Sequence, residues 1–410
     1  MGDHDGLNSS ARTIWGRLAA VAVPGSVTGH CGCMPAGRGR KHTMWLRTFA
    51  TLVVVVFPWP ERAQRASPLT ELTFESDLPD LSAWHKIQLA DGGEPWLLSR
   101  SGLWRKAGND ASWLPVRVEV NGSPCRRIWD AQWFDQSGIV LCENSLLFTR
   151  DLGRSWNELP PVPAGHGHGE INGLEFKRHG RVGWVYGGVY RPAKSDEDAP
   201  NNAISVDAQG VRSILEPAIF FTDDLGMHWV RQRLPALEDT YRITGLSFVD
   251  EAHGVALMES GTLFTTDGGR QWQRSSVDGP ACGSRSQRSE ATFRLVYLVS
   301  ESHGFLSADD GSVFRTTDGA RTWCQVAPSH TIRSQSSPEP SYFLSFGFLT
   351  RYTGWGVDMS GGLLETRDGG RSWTLLSGKG AANFEQVLLL NETEGWVLTD
   401  RTLLRFRTTP

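Results

Sequence analysis

The 410-residue sequence predicts an all-β chain, a single β-propeller of seven four-stranded antiparallel blades, on three observations. An eight-residue motif recurs at near-blade intervals, and β-type runs precede each copy in a fixed order. Glycine (45) and tryptophan (17) are abundant, while long apolar helical stretches are missing.

The motif occurs five times. Thr149-Arg150-Asp151-Leu152-Gly153-Arg154-Ser155-Trp156 is followed by Thr222-Asp223-Asp224-Leu225-Gly226-Met227-His228-Trp229 and Thr265-Thr266-Asp267-Gly268-Gly269-Arg270-Gln271-Trp272. Thr316-Thr317-Asp318-Gly319-Ala320-Arg321-Thr322-Trp323 departs from the usual glycine at Ala320, and Thr366-Arg367-Asp368-Gly369-Gly370-Arg371-Ser372-Trp373 completes the set. The aspartates lie 73, 43, 51 and 50 positions apart. The last three intervals match one blade, and the first matches one blade carrying an insertion. In each copy the Asp side chain accepts backbone N–H groups of its own turn, glycine permits a positive φ, and the tryptophan covers the turn. Runs such as Leu146-Leu147-Phe148-Thr149 stand just upstream, so each motif joins two antiparallel strands.

In chain order, residues 1–43 show no sustained period and are read as a spurious or disordered leader ahead of Met44. Residues 44–66 carry a signal-peptide pattern: Arg47, an apolar run over 49–57, and a helix-breaking exit ending in Ala63 and Ala66. Cleavage is expected near Ala66. The run is far short of the roughly 20 residues of a membrane span, so an exported periplasmic or extracellular protein without a stable transmembrane anchor is expected; an uncleaved leader would leave it membrane-associated.

Residues 67–410 are the propeller. Trp96-Leu97-Leu98-Ser99 and Leu103-Trp104-Arg105-Lys106 read as a first blade without a motif. Pairs such as 246–249 with 254–257 and 346–349 with 354–357 supply strands A and B ahead of the strand C that enters each motif, and strand D follows. At the carboxyl end 387–390, 396–399 and 403–406 give three strands, so the fourth must come from elsewhere; a segment such as 84–89 would complete that blade and clasp the ring. Seven blades over 344 residues gives about 49 each, near the roughly 40 to 50 of known blades, with six or eight left open.

Beyond residue 66 the chain holds 33 basic and 42 acidic side chains, a balance of −9 that argues against a nucleic-acid footprint. Cys125, Cys142, Cys282 and Cys324 allow three pairings. Cys125 with Cys142 and Cys282 with Cys324 are favoured because each pair falls within one repeat; the other reading is four small buried thiols.

The five motifs resemble Asp-box (BNR) repeats, found in sialidases, sortilin-type receptors and photosystem II assembly-factor-like propellers. The whole unit, with its Gly-aromatic strand B and Leu-rich strand C, is most similar to the last of these over most of residues 71–410. The resemblance implies seven blades, a protein-binding role and no cofactor. Five periodic aspartates on separate blades (Asp151, Asp224, Asp267, Asp318, Asp368) are read as structural, with their tryptophans Trp156, Trp229, Trp272, Trp323 and Trp373, because site chemistry needs convergent groups.

Sialidases carry an Arg-Ile-Pro signature, whereas here Arg127-Ile128 is followed by Trp129. A glycosidase or glycan-binding propeller therefore stands as the alternative to a non-enzymatic scaffold. The D-to-A connections 160–170, 277–290 and 328–341 and the B-to-C insertion 190–217 are expected on the face opposite the motifs, where a protein or peptide partner binds a monomeric propeller. Arg242, Arg294, Tyr342 and Glu170 are the candidate binding residues. His166 and His168 are weak metal candidates beside Glu170, in a Gly-rich loop that gives no fixed ligand geometry.

Overall fold

The structure is a computed structural model that describes residues from Leu69 to Thr408, apart from internal stretches of which the longest are 75–83, 195–203, 279–290 and 329–340. The leader 1–43, the signal-like segment 44–66, His166, His168 and Cys282 lie outside the described residues. Among the described residues there is no helix long and apolar enough to cross a membrane.

Seven antiparallel blades form, lettered A to D from the axis outward. Blade 1 is Trp84–Leu89, Pro95–Ser99, Leu103–Lys106 and Trp113–Val116. Blade 2 is Ile128–Phe134, Ser137–Cys142, Ser145–Thr149 and Asn157–Glu158. Blade 3 is Glu170–Lys177, Val182–Pro192, Arg212–Thr222 and Val230–Arg231. Blade 4 is Gly245–Phe248, Gly254–Met258, Gly261–Thr265 and Gln273–Arg274. Blade 5 is Phe293–Leu298, Gly304–Ala308, Val313–Thr316 and Thr322–Ala327. Blade 6 is Phe343–Phe348, Gly354–Asp358, Leu363–Thr366 and Thr374–Ser377. Blade 7 is Phe384–Asn391, Glu394–Thr399 and Leu403–Thr408, with a fourth strand from the other end of the chain. The A strands neighbour one another in a closed circuit, blade 7 returning to blade 1.

Two expectations are corrected. The clasp is Leu69–Phe74, paired antiparallel with Leu403–Thr408, whereas Trp84–Leu89 is strand A of blade 1. A hairpin partner six residues ahead at Pro95–Ser99 claims 84–89 locally, leaving the more distant run to close the ring. The stretch 277–290 is also not wholly a loop: Ser276–Asp278 runs parallel to Thr322–Cys324 as a fifth strand on blade 5. Strands B and C of blade 3 extend into the insertion 190–217 as a long hairpin, on which Ile204–Val206 folds back against Arg212–Ile214.

The core lies between blades. An aromatic on strand B stacks on one near the end of strand A in the next blade: Trp96 on Trp133 at 3.5 Å, Trp184 on Phe248 at 3.7 Å, Phe305 on Phe348 at 3.5 Å. The motif tryptophan then meets that strand A ring edge-on, at 6.0 Å for Trp133 with Trp156 and for Phe248 with Trp272. The tryptophan thus covers the turn and also seals the blade junction, burying large aromatic area in a favoured edge-to-face geometry.

Polar staples hold the inner strands, whose axis-facing edges have no further strand to pair with. Gln132 accepts the Phe176 N–H at 2.7 Å and donates to its carbonyl at 2.9 Å, joining blade 2 to blade 3. Gln386 does the same for Ile87 at 2.7 and 3.2 Å, joining blade 7 to blade 1. Asn172 donates to Ile243 O at 2.8 Å, and Ser247 accepts from Leu298 N at 2.9 Å.

Candidate functional site

The antiparallel order sends the A–B connections and the five repeated turns to one face, and the D–A and B–C connections to the other. On the first face all five turns share one hydrogen-bond pattern. The Thr hydroxyl donates to Asp Oδ1 at 2.8 to 2.9 Å and accepts the N–H two residues after the Asp at 2.9 to 3.0 Å, while Oδ1 accepts the N–H four residues after the Asp at 2.9 Å. The threonine is the hub of the turn, at most 2% exposed in each copy. Two successive left-handed residues follow the Asp, and Ala320 adopts φ 65°, a conformation that costs a Cβ-bearing residue free energy.

Hydrogen bonds from the Ser155 hydroxyl and N–H, then from Thr149, hold the Asp151 carboxyl at about 2. Burial works to raise the Asp224 carboxyl, but hydrogen bonds from His228 and Thr222 outweigh it and hold the group at about 2. These aspartates serve their own turns and do not converge.

On the opposite face six of the seven A strands carry a register shift at their start, which re-aims side chains around the mouth. Arg294 lies over the Tyr342 ring at 5.2 Å, so the structure brings two of the predicted residues together across blades 5 and 6. Arg242, beside strand A of blade 4, faces Glu259 at 3.5 Å. Glu259 is in turn linked to blade 5, because its carbonyl accepts the Phe293 N–H at 3.1 Å. Tyr342 O accepts the Met359 N–H at 3.0 Å, adding a side chain that is 56% exposed. Arg242, Glu259, Arg294, Tyr342 and Met359 therefore form one arc over three blades. Glu170 stands apart on blade 3, accepting from the Tyr190 hydroxyl at 2.8 Å; burial, then this bond and the carboxylate charge, push that phenol up to about 12.

Arg127 and Trp129 are a second cation–aromatic pair at a strand A start, 4.3 Å from charge centre to ring, with Trp129 47% exposed. Sequence reading weighed them only as a broken sialidase signature. A cystine holds their approach: Cys125 and Cys142 are disulfide-bonded with Cα atoms 6.0 Å apart. Cys324 is also disulfide-bonded.

Nearer the axis, burial and then the charges of Asp130 and Glu175 push the Tyr186 phenol up, opposite to what an activated phenolate needs. Lys86 pairs with Asp130 at 2.6 Å, and Lys177 with Glu175 at 2.8 Å. Asp250, His253 and Glu301 each bring one ligand atom within 4.8 Å of the others on the face of the repeated turns. There Asp250 already accepts the Ala252 and His253 N–H groups, both at 2.7 Å, as the cap of its turn.

No family model and no curated protein matches the chain. Among solved structures it is similar to YCF48 bound to D1 peptide, with 17% identity and a TM-score of 0.59 over 85% of this chain and 97% of that one. It is also similar to YCF48 from Cyanidioschyzon merolae (15%, 0.55, 83% and 99%) and to the RRP9 WD40 repeats (10%, 0.58, 84% and 99%). What they share with this chain is the propeller fold.

Proposed function

We propose that the chain is an exported Asp-box propeller that binds a protein or peptide through the face opposite the repeated turns, without catalysis. The observation that carries the reading is the arc on blades 4 to 6, where Arg294 is stacked on Tyr342 beside exposed Met359. A planar guanidinium held on an aromatic ring recognises carboxylate while the ring takes apolar side chains, the combination enriched at binding hot spots. Arg127 and Trp129 repeat the combination on blade 2. The bound D1 peptide of the YCF48 structure lends the reading support by analogy of fold. The signal-like segment 44–66 and the Cys125–Cys142 bridge both favour an oxidising compartment outside the cytosol.

The test is affinity capture from the cell of origin with the wild-type chain beside the triple variant Arg242→Glu, Arg294→Glu, Tyr342→Ala, and an Arg270→Glu control on the opposite face. Proteins retained by wild type and control but lost with the triple variant are expected. Equal capture by all three baits contradicts the site.

A further inference from the structure

The sequence holds two Asn-Gly pairs, Asn121-Gly122 and Asn172-Gly173, and the fold treats them in opposite ways. Such a pair reacts with itself when its backbone is free to close a ring. The glycine main-chain nitrogen gives up its proton and bonds to the asparagine Cγ, the Cγ–Nδ2 bond breaks, and the amide leaves as ammonia. Water then opens the succinimide at either carbonyl, leaving aspartate or an isoaspartyl link. The net change is amide plus water to acid plus ammonia. Glycine favours the ring because it has no Cβ to obstruct its nitrogen.

Asn121 and Gly122 are the tip of the hairpin Glu119–Val120 with Ser123–Pro124, on the connection from blade 1 to blade 2. Both are left-handed, with φ 51° and 77°, as this two-residue turn requires. Residues 121–124 are all exposed, and no atom lies within 4 Å of where a Cβ on Gly122 would stand. The tip lines an open cleft of about 930 Å³.

Asn172 and Gly173 lie instead in strand A of blade 3, where Asn172 Nδ2 donates to Ile243 O at 2.8 Å. Gly173 is buried and paired with Tyr186, and a Cβ on it would stand 2.4 Å from the Tyr186 hydroxyl. Ring closure there has to wait for the strand to open, whereas the tip needs no such opening.

The Asn121 amide ties the tip to strand D of blade 2: its Nδ2 donates to Glu158 Oε2 at 3.1 Å. Glu158 Oε1 accepts the Ser145 hydroxyl at 2.6 Å, which fixes that carboxylate in place. The base of the hairpin is held separately. Val118 is buried, its carbonyl accepts the Cys125 N–H at 2.9 Å, and Cys125 is bridged to Cys142. An acid at position 121 loses the donor and sets like charge against Glu158, so the tip is released while the base stays.

We propose that Asn121 is a self-modifying site, where loss of the amide to Gly122 and water turns the tie to Glu158 into a like-charge contact and frees the hairpin tip. The substrate is the chain itself, and water is the co-reactant.

The test ages the full chain, disulfides intact, at mildly alkaline pH, maps it by mass spectrometry and reads isoaspartate by methyltransferase labelling. Conversion at Asn121 about tenfold faster than at Asn172 is expected. Asn121→Asp stands in for the aged chain, and its hydrogen exchange over 119–124 should rise about fivefold at an unchanged melting temperature. Asn121→Asp/Glu158→Gln should restore protection, because the new amide donates to the new carboxyl. No conversion at Asn121, or equal conversion at the two pairs, overturns the site. Exchange in Asn121→Asp equal to wild type, or a double variant as open as the single one, overturns the release of the tip.

Discussion

Replacing Thr265 by valine removes the hub of one repeated turn while keeping its shape. The hydroxyl donates to Asp267 Oδ1 at 2.9 Å and accepts from Asp267 N at 3.3 Å and Gly269 N at 2.9 Å. Each bond contributes about 1 kcal/mol net, and a buried N–H left unpaired costs about 1 to 3 kcal/mol, so a loss of about 3 kcal/mol is expected. Unfolding entropy of about 2.1 cal/mol/K per residue over about 340 residues is roughly 0.7 kcal/mol/K, which converts that loss to a fall of about 4 °C. Thr265→Ser keeps the hydroxyl and loses one methyl, so it should fall by less than half as much. Differential scanning calorimetry reads both. A Thr265→Val melting point within about 1 °C of wild type, or a Thr265→Ser loss as large as that of Thr265→Val, refutes the hub.

Other outcomes follow from the same geometry. Asp151 and Asp224 titrate at about 2 in the fold, below the roughly 3.9 of an unfolded Asp, so the unfolded chain binds more protons between those values. Their stabilisation is therefore full above about pH 4 and lost as pH falls toward 2; thermal melts across pH 2 to 5 should show this slope, flattened in Asp151→Asn. The Cys125–Cys142 bridge spans 17 positions and should contribute about 3 kcal/mol, read as a denaturation midpoint lowered in Cys125→Ala/Cys142→Ala. A chain beginning after Phe74 lacks the clasp and leaves the Leu403–Thr408 edge open, so size-exclusion chromatography should show self-association where the intact chain elutes as one species. Trp184→Ala removes a side chain with no solvent exposure, stacked on Phe248, and should cost about 3 to 5 kcal/mol by chemical denaturation.

The blades were legible because the turn chemistry is local: threonine, aspartate and glycine must sit at fixed offsets for one hydroxyl to serve three groups, so spacing alone marks each C–D hairpin. The clasp was not legible in the same way. Trp84–Leu89 was the segment named to close blade 7, and only pairing across the whole chain shows that Leu69–Phe74 closes it instead. Blade 1 has no motif to anchor its count, and its outer strand Trp113–Val116 carries Pro115, which hides it from a pattern search.

Arg294 and Tyr342 were singled out for their place at strand A starts, a topological inference that survives loops of any length, and the structure puts them side by side there. Trp129 was missed because its exposure arises from the register shift between Ile128 and Asp130, which no local pattern announces. The fifth strand on blade 5 was missed for a similar reason: Ser276–Asp278 has strand character only beside Thr322–Cys324.

The most direct test of a binding mouth is site-specific photocrosslinking in the cell of origin, with p-benzoylphenylalanine placed at Tyr342 in one variant and at Arg270 on the opposite face in another. A discrete adduct from position 342, absent from position 270, is the predicted result. Adducts from position 270 alone, or the same adducts from both, would contradict the assignment of binding to this face.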